Sequence, residues 1–87
     1  QRQRVQIRYR TPQGDHFRES ERKLDPYGLA WRARQWYVVG WCHLRQALRS
    51  FRLDRIAEVT ALQGPTAHFE APAAFDAVAF LAHGVAT

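Results

Sequence analysis

A single cysteine, Cys42, excludes an intrachain disulfide and any metal site built from several thiolates. It lies in an apolar, strand-like run, where a thiol packs as a small hydrophobe, and a reducing, cytoplasmic setting is expected. No stretch approaches the roughly 18 apolar residues of a membrane helix, and the opening residues carry no signal-peptide pattern. The only serines, Ser20 and Ser50, stand outside any Gly-x-Ser-x-Gly elbow. The five glycines are scattered among turns, so no phosphate-cradling loop is encoded. The eight carboxylates show no pairing that would split acid from base roles. His16, His43, His68 and His83 lack ligand spacing. The expectation is a protein that is no enzyme and needs neither metal nor cofactor.

Lysine is also scarce, and that absence is informative. Of 13 cationic residues only Lys23 is lysine, and the net charge is +5. Arginine offers a planar fork for phosphate or carboxylate and stacks on rings, so an anionic partner is indicated. A high-GC coding bias accounts for part of the preference, but not for its clustering. At 87 residues, with 46% hydrophobic and 13% aromatic content, the chain suits one small packed domain rather than a disordered segment. It starts without Met inside a strand-like run, and is expected to be a domain of a longer protein.

Arg4–Arg10 alternates strictly, with Val5, Ile7 and Tyr9 on one face, and reads as a half-buried strand. Its arginines suggest a solvated edge. Residues 11–15 read as a turn into a second strand over His16–Leu24, and Asp25-Pro26-Tyr27-Gly28 as a break. Gly28–Trp31 and Gln35–His43 then form a hairpin. In its second arm Tyr37, Val39 and Trp41 share one face and Trp36, Val38, Gly40 and Cys42 the other, so that arm is central and covered on both sides. Leu48–Leu53, a bend at Asp54-Arg55 and Ile56–Leu62 complete the sheet region. Helical spacing of Phe75, Val78, Ala79 and Ala82 predicts a helix over Ala73–His83, with Gly84 as its C-cap. The economical packing is mainly β, a small, strongly curved antiparallel barrel over about 4–62 with an extension and helix over about 68–83.

Two clusters carry chemistry. Trp31, Trp36, Tyr37 and Trp41 lie within eleven residues. Core packing explains most of them, but alternation forbids Trp36 and Tyr37 from entering one core together. Arg45, Arg49, Arg52 and Arg55 surround Phe51. An arginine on an apolar strand face snorkels, pairs with an acid or holds a ligand. Asp25, Asp54 and Glu58 are the available acids. His43, at the end of the Trp-rich strand, is a further candidate contact.

Residues 26–56 resemble the WYL domain family. Trp36-Tyr37-Val38 is similar to its eponymous triplet, with Val in place of Leu; Pro26-Tyr27-Gly28-Leu29 is similar to its Pro-x-Gly-Leu hairpin entry. Arg49-Ser50-Phe51-Arg52-Leu53-Asp54-Arg55-Ile56 resembles its Arg-x-Phe-Arg-x-x-Arg-Ile signature, and Phe69, Pro72, Phe75 and Asp76 the end of the domain. The resemblance implies an Sm-like, SH3-type β-barrel behind an N-terminal winged helix-turn-helix, absent here, which would read a DNA operator. It also implies a sensory role in a bacterial transcriptional regulator, with nucleic acid or a nucleotide-like anion as ligand. Trp36, Tyr37, Arg49, Phe51, Arg52 and Arg55, with His43 added, are the resulting candidate contacts. The rival expectation is a structural module that forms a homodimer, with its arginines tied up by Asp25, Asp54 and Glu58.

Overall fold

The computed structural model describes residues 2–82. Seven strands and one helix follow in order: β1 (Arg2–Gln3), β2 (Val5–Gln13), β3 (His16–Arg32), β4 (Gln35–Cys42), β5 (Ala47–Arg52), β6 (Ile56–Ala61), β7 (His68–Phe69) and α1 (Ala77–Ala82). A single 3₁₀ turn, Leu53–Arg55, joins β5 to β6. All pairings are antiparallel, in one five-stranded sheet of order β5-β4-β3-β2-β6 and a two-stranded β1-β7 pair.

That order forces the sheet to roll. Its outer strands, β5 and β6, would stand about 19 Å apart in a flat sheet. Only three residues of 3₁₀ helix join them, a span of roughly 8 Å. The inner face closes accordingly: Tyr9 on β2 meets Phe51 on β5 edge-on, centroids 4.9 Å apart, and the Tyr9 hydroxyl accepts the Arg52 backbone N–H at 3.1 Å. Among the described residues no ladder joins β5 to β6, so the sheet rolls without a hydrogen-bonded seam between its outer strands.

The alternation expected for β4 holds. Val38 and Cys42 enter the inner core with Ile7, Tyr9, Leu24 and Phe51, while Val39 and Tyr37 meet Ala30, Ala77 and Leu81 beneath α1. Each fully buried Val, Leu, Ile or Phe contributes roughly 1.5–3 kcal/mol, so β4 anchors two cores at once.

Four expectations need correction. The break at residues 25–28 is a bulge: β3 runs unbroken, with a register shift between Pro26 and Gly28. Tyr27 is the extra residue, while Pro26 stays in register with Gly40 beside the irregularity, where proline is tolerated. The first turn is only Gly14-Asp15, with Gln13 paired to His16. The first strand is not an edge, since β2 lies between β3 and β6, with Arg8 paired to Glu58 at 3.0 Å. Finally, α1 starts at Ala77, four residues later than expected, because Ala74 takes a left-handed φ of 59° and Asp76 caps the Ala79 N–H at 3.0 Å. Ala77 and Leu81, rather than Val78 and Ala82, form its buried stripe. His83 and Gly84 lie outside the described residues.

Candidate anion site

Strand alternation places one row of side chains from each strand inside the roll. On β3 that row is Arg18, Ser20, Arg22 and Leu24; on β5 it is Ala47, Arg49 and Phe51. Leu24 and Phe51 complete the core. Beyond them the β2–β3 hairpin continues past the last β6 pair at Tyr9, leaving one mouth of the roll unfilled. A cavity of about 270 Å³ occupies that mouth.

Five arginines line it: Arg18 and Arg22 from β3, Arg45 from the turn after β4, Arg49 from β5 and Arg55 from the 3₁₀ turn. No Asp, Glu or His lines it among the described residues. The acids able to neutralise these arginines are engaged elsewhere. Asp25 holds Arg4 and His43, Asp54 holds Arg52 at 2.8 Å, and Glu58 holds Arg8. None of the five lining guanidiniums has a carboxylate within 4.0 Å among the described residues. Arg22 is the deepest chemically. Its guanidinium sits 5.5 Å from the Phe51 ring centroid, and its Nε donates to Ser20 Oγ at 3.2 Å. A half-buried cation with only neutral partners is unfavourable until an anion arrives.

Of the seven residues expected at a site, the structure gathers Arg49, Phe51 and Arg55 at this cavity. The other four lie elsewhere. Arg52 points to the opposite face and closes a bidentate pair on Asp54, Nε to Oδ1 at 3.1 Å. This raises the guanidinium pKa and lowers that of Asp54, chiefly through those hydrogen bonds. Tyr37 packs toward α1. Trp36 is exposed at the far end of the hairpin, its ring 5.5 Å from that of its cross-strand partner Trp31. His43 is bound to Asp25, Nε2 to Oδ1 at 2.9 Å. Arg18 and Arg22 were not expected at a site, because residues 16–24 hold few strong apolar markers. The signal was still present: Arg22 stands two residues before the core residue Leu24, so both share a face.

Asp25 forms a structural clasp. At the β3 bulge it takes the Arg4 Nε and Nη2 donors and the His43 ring, while Arg4 Nη1 donates to the Thr66 carbonyl at 2.7 Å. Burial pushes the Asp25 carboxyl up, but the hydrogen bonds from Arg4 and His43 outweigh it and leave its pKa below the ordinary 3.8. With the folded pKa lowered, the unfolded chain binds the proton more readily. This stability is therefore present above about pH 4 and is lost as pH falls through the folded value. Urea midpoints should decline on acidification below that point. Asp25→Asn should flatten that decline and cost about 3 kcal/mol at neutral pH, by leaving Arg4 without its acid.

The WYL domain family matches residues 1–61 of the chain. The chain is 35% identical over 75 residues to protein PafB of Mycobacterium leprae, covering 86% of itself and 22% of that protein. It is 34% identical over 55 residues to the DNA-binding transcriptional repressor CapW of Stenotrophomonas maltophilia, covering 63% of itself and 18% of CapW. The fold is similar to that of proteasome accessory factor B/C (PafBC) of Arthrobacter aurescens, with a TM-score of 0.78 and 33% identity over 97% of this chain and 13% of that one. The chain thus spans about a quarter or less of the curated relatives it matches. Family match, sequence identity and shared fold agree: the chain belongs to the WYL domain family.

Proposed function

We propose that this WYL domain is the ligand-sensing part of a cytoplasmic bacterial transcriptional regulator, without enzymatic activity, and that its ligand is an anion of nucleotide type, single-stranded nucleic acid above all. One observation carries the reading: five arginines line a cavity that no carboxylate lines among the described residues. CapW, named a DNA-binding transcriptional repressor, supplies the regulatory context. In this reading the operator is bound by a separate N-terminal domain, and the rolled sheet is a member of the Sm-like, SH3-type barrels. The arginines take phosphate oxygens through charge-assisted hydrogen bonds. Phe51 and Tyr9 are buried, so bases do not stack within the cavity and remain at its mouth. A single strand suits this, because its phosphates and bases are free to separate.

Fluorescence anisotropy of a labelled single-stranded oligonucleotide tests the reading, with duplex and mononucleotide competitors at two salt concentrations. Saturable binding that resists duplex is expected, and Arg49→Ala should abolish it with the fold retained. Affinity should fall with salt, with a logarithmic slope of about −0.7 for each engaged phosphate. Equal, feeble binding to every competitor, independent of Arg49, would sink it.

A second reading, a dimerisation module, rests on a different observation. Leu29, Trp31, Trp36 and Leu53 are all exposed, at 58%, 55%, 48% and 39%. Sedimentation of the wild type beside Trp36→Ser tests it: a homodimer held by this strip would dissociate in the variant.

A further inference from the structure

We infer that the cavity selects a terminal phosphate, at the end of a nucleic-acid strand or on a nucleoside polyphosphate, over the internal phosphodiesters of a strand. The inference rests on the proposed anion site and narrows its ligand. Size is the first argument. A cavity of about 270 Å³ has ample room for one phosphorylated end.

Charge is the second. Among the described residues none of the five lining cations has a carboxylate within 4.0 Å, and Asp54, which attracts Arg55 from farther off, is paired to Arg52. An internal phosphodiester brings one negative charge and two free oxygens, which would leave most of those cations uncompensated. A terminal phosphate brings about −1.5 to −2 at neutral pH and three strong acceptor oxygens. A nucleoside polyphosphate brings more.

Direction is the third argument. The lining arginines come from four separate segments, at Arg18 and Arg22, at Arg45, at Arg49 and at Arg55. Donors from several segments suit a group that offers oxygens on several sides, as a terminal phosphate does. The buried Tyr9 and Phe51, which line the cavity, belong to the core and close its inner side. The aromatic surface that stays exposed, Trp31 and Trp36, lies at the other end of β4, about 13 Å along the strand from the Gly40–Arg49 pair.

The test compares one short single-stranded sequence made with a 5′-hydroxyl or a 5′-phosphate, each carrying the same 3′ label, with a nucleoside triphosphate as competitor. The phosphorylated strand should bind at least tenfold tighter. That advantage should vanish in Arg22→Gln and Arg49→Gln, whose folding is verified by thermal melting. Displacement by the triphosphate at similar concentration would support the inference with a free nucleotide as the source. Tight phosphorylated-strand binding without such displacement would support it with the strand end as the source. Equal affinity for the two strands, with no displacement, overturns the inference but leaves the anion site standing. No arginine-dependent binding of any probe overturns both.

Discussion

Gly40→Ala should unfold or nearly unfold the domain. Gly40 occupies the middle of β4, opposite the Pro26 bulge, in ordinary extended backbone. A Cβ there would collide with the Asp25 carbonyl oxygen and would stand 2.9 Å from both the Asp25 carbonyl carbon and Pro26 Cα. These are backbone atoms in a strand fixed on both sides, so no flexible side chain can yield. The cost should reach about 3 kcal/mol or more. For a domain of this size that corresponds to a fall in Tm of about 15 °C. Gly14→Ala is the control. Gly14 has a φ of 65° but nothing within 4 Å of an added methyl, so only the left-handed backbone penalty of roughly 1–2 kcal/mol applies. A Gly40→Ala melting curve close to wild type would contradict the close approach at the bulge.

Arg22→Met should raise the stability of the free domain and weaken ligand binding at least tenfold. The guanidinium is half-buried, contacts Ser20 and the Phe51 ring, and has no acid partner among the described residues. Methionine keeps much of the length and packing while removing the charge. Relief of desolvation and of repulsion from the neighbouring arginines should exceed the cation–π loss of about 0.5–1 kcal/mol. The net gain should be about 1 kcal/mol, read as a higher urea midpoint. Opposite signs in stability and binding are expected where a site is strained for its ligand. A structural role for Arg22 would give the reverse, lower stability with binding unchanged.

These two residues also show what the sequence made legible. β4 was readable because apolar residues on both faces require a strand covered twice, and Val38 and Val39 occupy the two cores as expected. The bulge was not, because Asp-Pro-Tyr-Gly is a breaker cluster by local chemistry. Only the pairing of β3 with β4 on both sides of it keeps the strand continuous. The site was half legible. The face that Arg49 shares with Phe51 follows from period two alone. Arg52 became a candidate through the arginine signature of the resemblance, yet alternation turns it outward to Asp54. Arg18 and Arg22 reach the cavity only because the sheet rolls, and the roll follows from a strand order that no local pattern encodes. The missing acids could not be counted in advance either, since Asp25 and Glu58 are assigned to Arg4 and Arg8 by tertiary contacts.

The central claim is that anions enter the acid-free arginine cavity, and arginine side-chain NMR tests it most directly. Assigned Nε–Hε resonances would be followed while a short 5′-phosphorylated single strand is titrated in. Saturable shifts are predicted at Arg18, Arg22, Arg45, Arg49 and Arg55, with Arg4, Arg8 and Arg52 unmoved on their carboxylates. Shifts confined to Arg34, Arg52 and the indole N–H groups of Trp31 and Trp36, with the cavity arginines silent, would contradict it.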